Sequence, residues 1–101
     1  MIGQSDQEAQ DDRLVLSAGT ELEFCQLLRV IWLRSHLTLG QAKLKTGIPR
    51  SQIHGLTRRS RSRLPRIRAQ VEALVSACGL STDEAATVLT LWDRLHKSPT
   101  S

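Results

Sequence analysis

Three short segments of this chain carry the signature of an α-helix N-terminus, and they constrain the fold more than any other feature. The segments are residues 20–23, 38–41 and 81–84. In each, a Ser or Thr is followed three positions later by Glu or Gln, so that the two side chains can satisfy free backbone N–H groups reciprocally. Apolar residues recur at helical spacing after each segment, and nowhere in the sequence is there the alternation typical of a strand. The sequence therefore predicts an all-α fold.

The apolar spacing and the breaker residues predict five helices in one compact domain. The helices extend over about residues 20–36, 38–47, 48–59, 65–79 and 81–97. Pro65 is expected in the first turn of the fourth helix, where its missing N–H costs nothing. Gly79 followed by Leu80 is typical of a Schellman motif at the end of that helix. A chain of 101 residues has room for one domain of this kind.

The two ends of the chain are polar. Residues 1–19 are predicted to be a disordered acidic N-terminal arm, because they cannot bury enough apolar surface to offset the entropy of ordering. Leu14, Val15 and Leu16 are the exception and are candidates for docking on the core. Two roles for the arm remain open: it folds back over a basic surface, or it only adds solubility. Residues 98–101 are predicted to be a C-terminal tail.

Charge is divided sharply along the chain. Residues 1–23 contain six acids and one base, residues 24–69 contain eleven bases and no acid, and residues 70–101 contain four acids and two bases. The formal net charge of +4 hides this division. A solvated surface usually mixes both signs, whereas segregated positive charge is typical of a protein that binds a polyanion.

Residues 37–56 predict two short helices joined by a turn at Gly47, where glycine supplies a positive φ without strain. The apolar residues Ile48, Ile53 and Leu56 are expected to hold the second of these helices against its neighbours. A helix with an exposed polar face can enter the major groove, with its N-terminal residues nearest the bases. The predicted base-reading residues are Arg50, Ser51, Gln52 and His54. Arg50 suits bidentate contact with guanine O6 and N7, and for His54 a merely solvent-exposed role is equally open.

This segment and its surroundings resemble the bacterial Cro/C1-type (XRE) helix-turn-helix repressors over about residues 20–80. The matching positions are Leu37-Thr38, Gly47-Ile48, Arg50-Ser51, Ile53, Leu64-Pro65 and the apolar stripe from Leu74 to Gly79. The resemblance implies a lambda-repressor-like domain over residues 20–97, in which the second and third helices read DNA, often as a dimer. Lys43 departs from the small alanine usual in the family, so we expect the second helix to be shifted to bury Ala42. Gly55 stands where the family often has a base-reading side chain.

Residues around the reading helix are expected to bind the phosphates of the DNA backbone. The predicted phosphate contacts are Thr38, Gln41, Lys43, Arg58, Arg59, Arg61, Arg63 and Arg66. Most of them belong to an arginine-rich loop, and Thr38 and Gln41 mark a helix N-terminus, whose free N–H groups can bind a phosphate. Phosphate contacts supply salt-sensitive affinity but carry no sequence information.

The remaining chemistry-bearing residues predict no enzyme, cofactor, metal site or small-molecule ligand. Neither a Ser-His-acid set, nor a glycine-rich phosphate loop, nor a metal-ligand spacing occurs. Cys25 and Cys78 are interpreted as small core residues rather than redox sensors. Trp32 and Trp92 are interpreted as core filling between the first and last helices, with a dimer interface as the alternative.

Together these features predict a protein that binds double-stranded DNA in a sequence-specific manner and acts as a transcriptional regulator. The predicted location is the cytoplasm, not a membrane. A homodimer and a regulatory protein partner are both compatible with it. The rival hypothesis is an antitoxin-like or adaptor module that keeps the fold but binds protein through helices 1 and 5. A third hypothesis is structured RNA, which basic loops also attract.

Overall fold

The computed structural model describes residues 15–97, and within that range it is helical and has no strand. The helices are α1 (Glu21–Ser35), α2 (Leu39–Thr46), α3 (Arg50–Thr57), α4 (Arg68–Ala77) and α5 (Thr82–His96). α2 packs on α3 and α4, α1 packs on α3, and α5 packs on α4 and α1. The predicted all-α five-helix fold is confirmed, and α2 and α3 are adjacent as a helix-turn-helix requires. None of the described helices is long and apolar enough to cross a bilayer.

The caps explain where the helices begin. At α2 and α5 the predicted capping boxes are complete: Thr38 and Gln41 exchange side-chain-to-backbone hydrogen bonds, as do Ser81 and Glu84. At α1 the box is only half formed, because the Glu23 carboxylate accepts from the Gly19 N–H at 2.7 Å rather than from the Thr20 N–H. The Thr20 hydroxyl still accepts from the Glu23 N–H, so the helix begins where the sequence predicts.

The ends of α4 gave one confirmed prediction and one wrong one. At its C-terminus Gly79 has a φ of 97°, and the Leu80 N–H donates to the Val75 carbonyl, which completes the predicted Schellman motif. At its N-terminus the helix begins at Arg68, not in the turn that contains Pro65. Pro65 is buried, and its carbonyl accepts a hydrogen bond from Trp92 Nε1 at 2.7 Å. This hydrogen bond with α5 holds the chain outside the helix at Pro65, and no local signal encodes it.

The larger part of the core lies between α1, α4 and α5. Its largest fully buried members on those helices include Phe24, Leu28, Ile31, Val71 and Val88. Ala18 is also buried in this cluster and Leu16 packs against it, whereas Val15 is exposed. The ordered domain therefore extends N-terminally beyond the predicted start at Thr20. The rest of the predicted arm, residues 1–14, and the tail, residues 98–101, lie outside the described residues.

A second, smaller cluster holds the helix-turn-helix to the rest of the domain. Ala42, Ile48, Ile53, Leu56 and Leu74 are buried there. Ala42 is fully buried and Lys43 is exposed, as expected from the shifted register of α2. The prediction that Trp32 fills the space between α1 and α5 is wrong: it packs on this cluster instead. Trp32 lies near the C-terminal end of α1, and only the tertiary arrangement decides which neighbours it meets there.

Replacing Trp92 by phenylalanine should destabilise the domain by about 1–3 kcal/mol. The substitution keeps an aromatic ring in the core but removes the donor to the buried Pro65 carbonyl, which is then left without a hydrogen bond. Urea unfolding followed by circular dichroism measures the effect. Trp32→Phe is the matched control, because it loses the same atoms at a residue for which no indole hydrogen bond exists within residues 15–97. Equal losses in the two variants would contradict the prediction.

Candidate nucleic-acid interface

The third helix separates its side chains cleanly into a buried and an exposed side. Ile53, Leu56 and Thr57 are buried, and the Thr57 hydroxyl donates back to the Ile53 carbonyl. The four predicted base-reading residues are all exposed: Arg50, Ser51, Gln52 and His54. Gly55 lies beside them, and a Cβ added to it would meet no atom within 4 Å. The exposed face therefore has a notch at Gly55.

Arg50 is directed towards the beginning of α2. A Cβ built on Gly40 would lie 3.2 Å from Arg50 Nη2, so the guanidinium lies over the backbone of Gly40. Leu39 and Gly40 are the first two residues of α2, and their N–H groups have no partner within the helix. A cationic group and two helix N-terminal donors thus lie side by side at the edge of α3.

Gln52 is held by Gln70, a residue that no motif in the sequence singles out. Gln70, on α4, donates from Nε2 to Gln52 Oε1 at 2.6 Å. The contact leaves the Gln52 amide N–H₂ available as a donor while its oxygen is engaged. Eighteen residues separate the two glutamines, and nothing in the local sequence signals that they meet.

The loop after α3, residues 58–67, is tied to the domain by further hydrogen bonds besides the one from Trp92 to Pro65. Arg61 donates from Nη1 to the Gly55 carbonyl and from Nε to the Arg63 carbonyl, both at 2.9 Å. The buried Cys25 thiol donates to the same Arg63 carbonyl, and Glu21 accepts from the Leu64 N–H at 2.8 Å. Arg61 thus braces the loop against α3, which sets it apart from the other predicted phosphate contacts.

The other predicted arginines of this loop present their charge to solvent. Arg58, Arg59, Arg63 and Arg66 are exposed. Within residues 15–97 no hydrogen bond or ion pair engages their side chains. By contrast, Arg68 donates to Asp93 at 2.9 Å in an ion pair that lowers the pKa of the aspartate. Four guanidinium groups without a partner among residues 15–97 therefore lie in the loop that directly follows α3.

An open groove runs between α3 and this loop. It has a volume of about 410 Å³ and is lined by Gln52 and Gly55 on one side and by Arg63, Arg66 and Ile67 on the other. Gln70 contributes to its lining, and so does Glu21, whose carboxylate bonds the loop backbone. The groove joins the predicted base-reading face to the predicted phosphate contacts.

The other predicted phosphate contacts lie at α2. Thr38 and Gln41 use their side chains in the capping box, so they hold the helix end rather than offer free groups. Their own N–H groups are likewise engaged, which leaves those of Leu39 and Gly40 as the donors of this terminus. Lys43 is exposed one turn further along α2.

A cation on α1 supports α3 at its C-terminal end. Arg29 Nη1 donates to the Thr57 carbonyl at 2.9 Å. Thr57 is the last residue of α3, where carbonyl groups lack helical partners and carry partial negative charge. In the sequence Arg29 stands out only as part of the basic segment, because a pairing across 28 residues has no local signature.

The two cysteines and the His, Asp and Glu residues between positions 15 and 97 do not form a further reactive or metal-binding site. Burial raises the pKa of the Cys25 thiol, against the opposing effect of the nearby Arg61 charge, and burial also raises the pKa of Cys78. Both thiols therefore stay protonated near neutral pH, as small core residues would. Among residues 15–97 no three His, Cys, Asp or Glu side chains are grouped so that they could hold a metal ion.

Comparison with known proteins found no relative of this chain. None of the protein-family models, curated proteins or solved structures compared with this chain matches it. The resemblance to the Cro/C1-type repressors therefore stays a prediction from the residues.

Proposed function

We propose that this protein binds double-stranded DNA in a sequence-specific manner and acts as a transcriptional regulator. In this proposal α3 lies in the major groove and reads bases, while the exposed arginines of the following loop bind the phosphates on one side of it. One observation carries the proposal: the exposed polar face of α3 shares a groove with Arg63 and Arg66, which belong to a loop whose four exposed arginines have no partner among the described residues.

The direction of each group supports a division of work. Ser51, Gln52 and His54 project from the exposed face of α3 as candidates for base contacts. The contact with Gln70 engages the oxygen of Gln52, so Gln52 is expected to donate, which suits guanine O6 or N7 better than the bidentate pairing with adenine. Arg50 lies over Gly40 at the α2 N-terminus, and in this proposal it contacts either a base edge or a phosphate.

The loop arginines and the α2 N-terminus are proposed to set the register of α3 on the duplex. Phosphate contacts on both sides of a reading helix fix its orientation without reading sequence. Arg58, Arg59, Arg63 and Arg66 would supply the contacts on one side, and Lys43 with the N–H groups of Leu39 and Gly40 those on the other. Arg61 is expected to contribute indirectly, by holding the loop in place.

Selection from a random duplex pool, with sequencing of the bound fraction, tests the proposal. We expect the wild-type protein to recover a motif, and Arg50→Ala to relax it at one or two adjacent positions at a cost of about 1–3 kcal/mol. If Arg50 contacts a phosphate instead, the motif will be retained and affinity will fall evenly across sequences. Arg94→Ala is the matched control, since it removes one exposed positive charge from α5, a helix that packs on α1 and α4.

The two rival hypotheses give different outcomes in the same experiment. Binding without a recovered motif would contradict base reading and leave only a nonspecific role for the arginines. Absence of binding even at low salt would contradict the proposal as a whole and favour the protein-binding module. Preferential binding to structured RNA, measured in parallel, would favour the RNA hypothesis.

A further inference from the structure

Two residues that line the groove between α3 and the following loop are unfavourable for the helices to which they belong. Gly55 lies within α3 and has no positive φ, so the backbone conformation does not require glycine there. Glycine nevertheless makes a helix less stable than alanine does, and a Cβ at this position would meet no atom within 4 Å. Ile67 is the N-cap of α4 and makes no side-chain cap hydrogen bond, although Ser, Thr, Asn or Asp would stabilise that position.

Ile67 is also more exposed than its apolar side chain favours. It is 52% exposed, and it lines the same groove of about 410 Å³ as Gly55. Single exposed apolar residues are ordinary, but here one lies in the same groove as a helix glycine that the fold does not need. Positions at which local preferences are broken are the ones where function is expected. Two such positions in one groove indicate that a bound partner, rather than the fold, determines both residues.

The groove offers apolar surface and polar groups side by side. The Ile67 side chain and the α-carbon of Gly55 supply the apolar surface, and the Gln52 amide lies in the same lining. Arg63 and Arg66 line it too, and their guanidinium groups have no partner among residues 15–97. A nucleotide has the complementary chemistry, with a phosphate for the guanidinium groups and a hydrogen-bonding base edge for the amide. Thymine alone among the four DNA bases adds a methyl group to its major-groove edge.

We propose that this groove receives the 5-methyl group of a thymine, and that Ile67 makes the protein specific for thymine at one position of its DNA motif. Gly55 leaves room beside α3 for the base edge, Ile67 contacts the methyl group, and Arg63 and Arg66 bind neighbouring phosphates. Glu21 also lines the groove, but its carboxylate is held by the Leu64 N–H. The inference rests on the proposed function and extends it, because it assigns a base contact to a loop that otherwise contacts only phosphates.

Replacing thymine by deoxyuridine tests the inference, since the two bases differ only in the methyl group. Selection with the full chain defines the motif, and deoxyuridine then replaces each of its thymines in turn. At one position we expect the affinity of the wild type to fall by about fourfold, the effect of one buried methyl group. Ile67→Ser should bind the two duplexes equally, and its melting temperature should not fall, because serine can cap α4. In the matched control Leu44→Ser the discrimination should remain, since Leu44 is 88% exposed on α2 and does not line the groove.

Gly55→Leu tests the room that the glycine leaves. The leucine side chain should occupy the groove and lower the affinity for the motif by about tenfold or more. The melting temperature should rise, because leucine favours a helix and the position is open. Wild-type affinity in Gly55→Leu, or a methyl effect that persists in Ile67→Ser, would overturn the inference and leave the proposed function intact. So would a recovered motif in which no thymine methyl matters. Failure to recover any motif would contradict the proposed function itself, and this inference would fall with it.

Discussion

Replacing Arg58, Arg59, Arg63 and Arg66 together by alanine is expected to weaken DNA binding by about a thousandfold at 0.15 M salt. Each phosphate contact adds about 0.9 to the slope of log affinity against log salt, so the loss of four contacts lowers the magnitude of the slope by about 3.6. Binding measured by fluorescence anisotropy between low and high salt gives both quantities. These side chains are exposed and make no hydrogen bond within residues 15–97, so folding should be unaffected.

Two comparisons make this result specific. A variant with Arg94 and Lys97 replaced by alanine removes charge from the end of α5, and its slope should stay close to that of the wild type. Arg61→Ala should behave differently from the quadruple variant, because Arg61 holds the loop through the Gly55 and Arg63 carbonyls. Its loss is expected to lower the melting temperature as well as the affinity. An unchanged salt slope in the quadruple variant would contradict the assignment of these arginines to phosphates.

Phe24→Ala should lower the free energy of unfolding by about 3–5 kcal/mol. Phe24 is completely buried at the start of α1 in the larger core cluster. The substitution leaves a cavity there, and the chain has few other aromatic side chains that could fill it. Small domains have a total stability of about 5–15 kcal/mol, so the variant should be close to unfolded at physiological temperature. Thermal and urea unfolding followed at 222 nm measure the change.

The control for this variant is Leu44→Ala. Leu44 is also a large apolar residue on a helix, but it is 88% exposed. Its replacement should change stability by no more than about 0.5 kcal/mol. A loss at Phe24 no greater than at Leu44 would show that the described core does not hold the domain together.

Local signals account for most of the fold that the sequence predicts. Caps, left-handed glycines and apolar spacing each involve residues within a few positions of one another, so they can be found without knowing what packs where. Thr38, Ser81 and Gly79 begin or end helices as predicted. The burial of Ala42 in place of Lys43 was expected from the departure of Lys43 from the pattern of the family that the chain resembles.

The candidate site was predictable as a set of residues but not as an arrangement. The sequence identifies α3 and its exposed polar residues, since the buried positions Ile53 and Leu56 leave only one side free. It also identifies the arginine-rich loop. It does not separate Arg61, which bonds two backbone carbonyls, from Arg63, which points to solvent. The two have the same charge in the same loop, and only the position of α3 distinguishes them.

The sequence by itself determined that this chain is helical, where most of its helices begin and end, and that its positive charge is concentrated around one exposed helix. The tertiary structure alone decided that Pro65 lies before α4 under Trp92, that Trp32 supports the helix-turn-helix, and that Gln70 holds Gln52. The physical reason is distance along the chain. A cap or a turn is stabilised by neighbours in sequence, whereas a hydrogen bond across eighteen or twenty-seven residues forms only after the helices have packed.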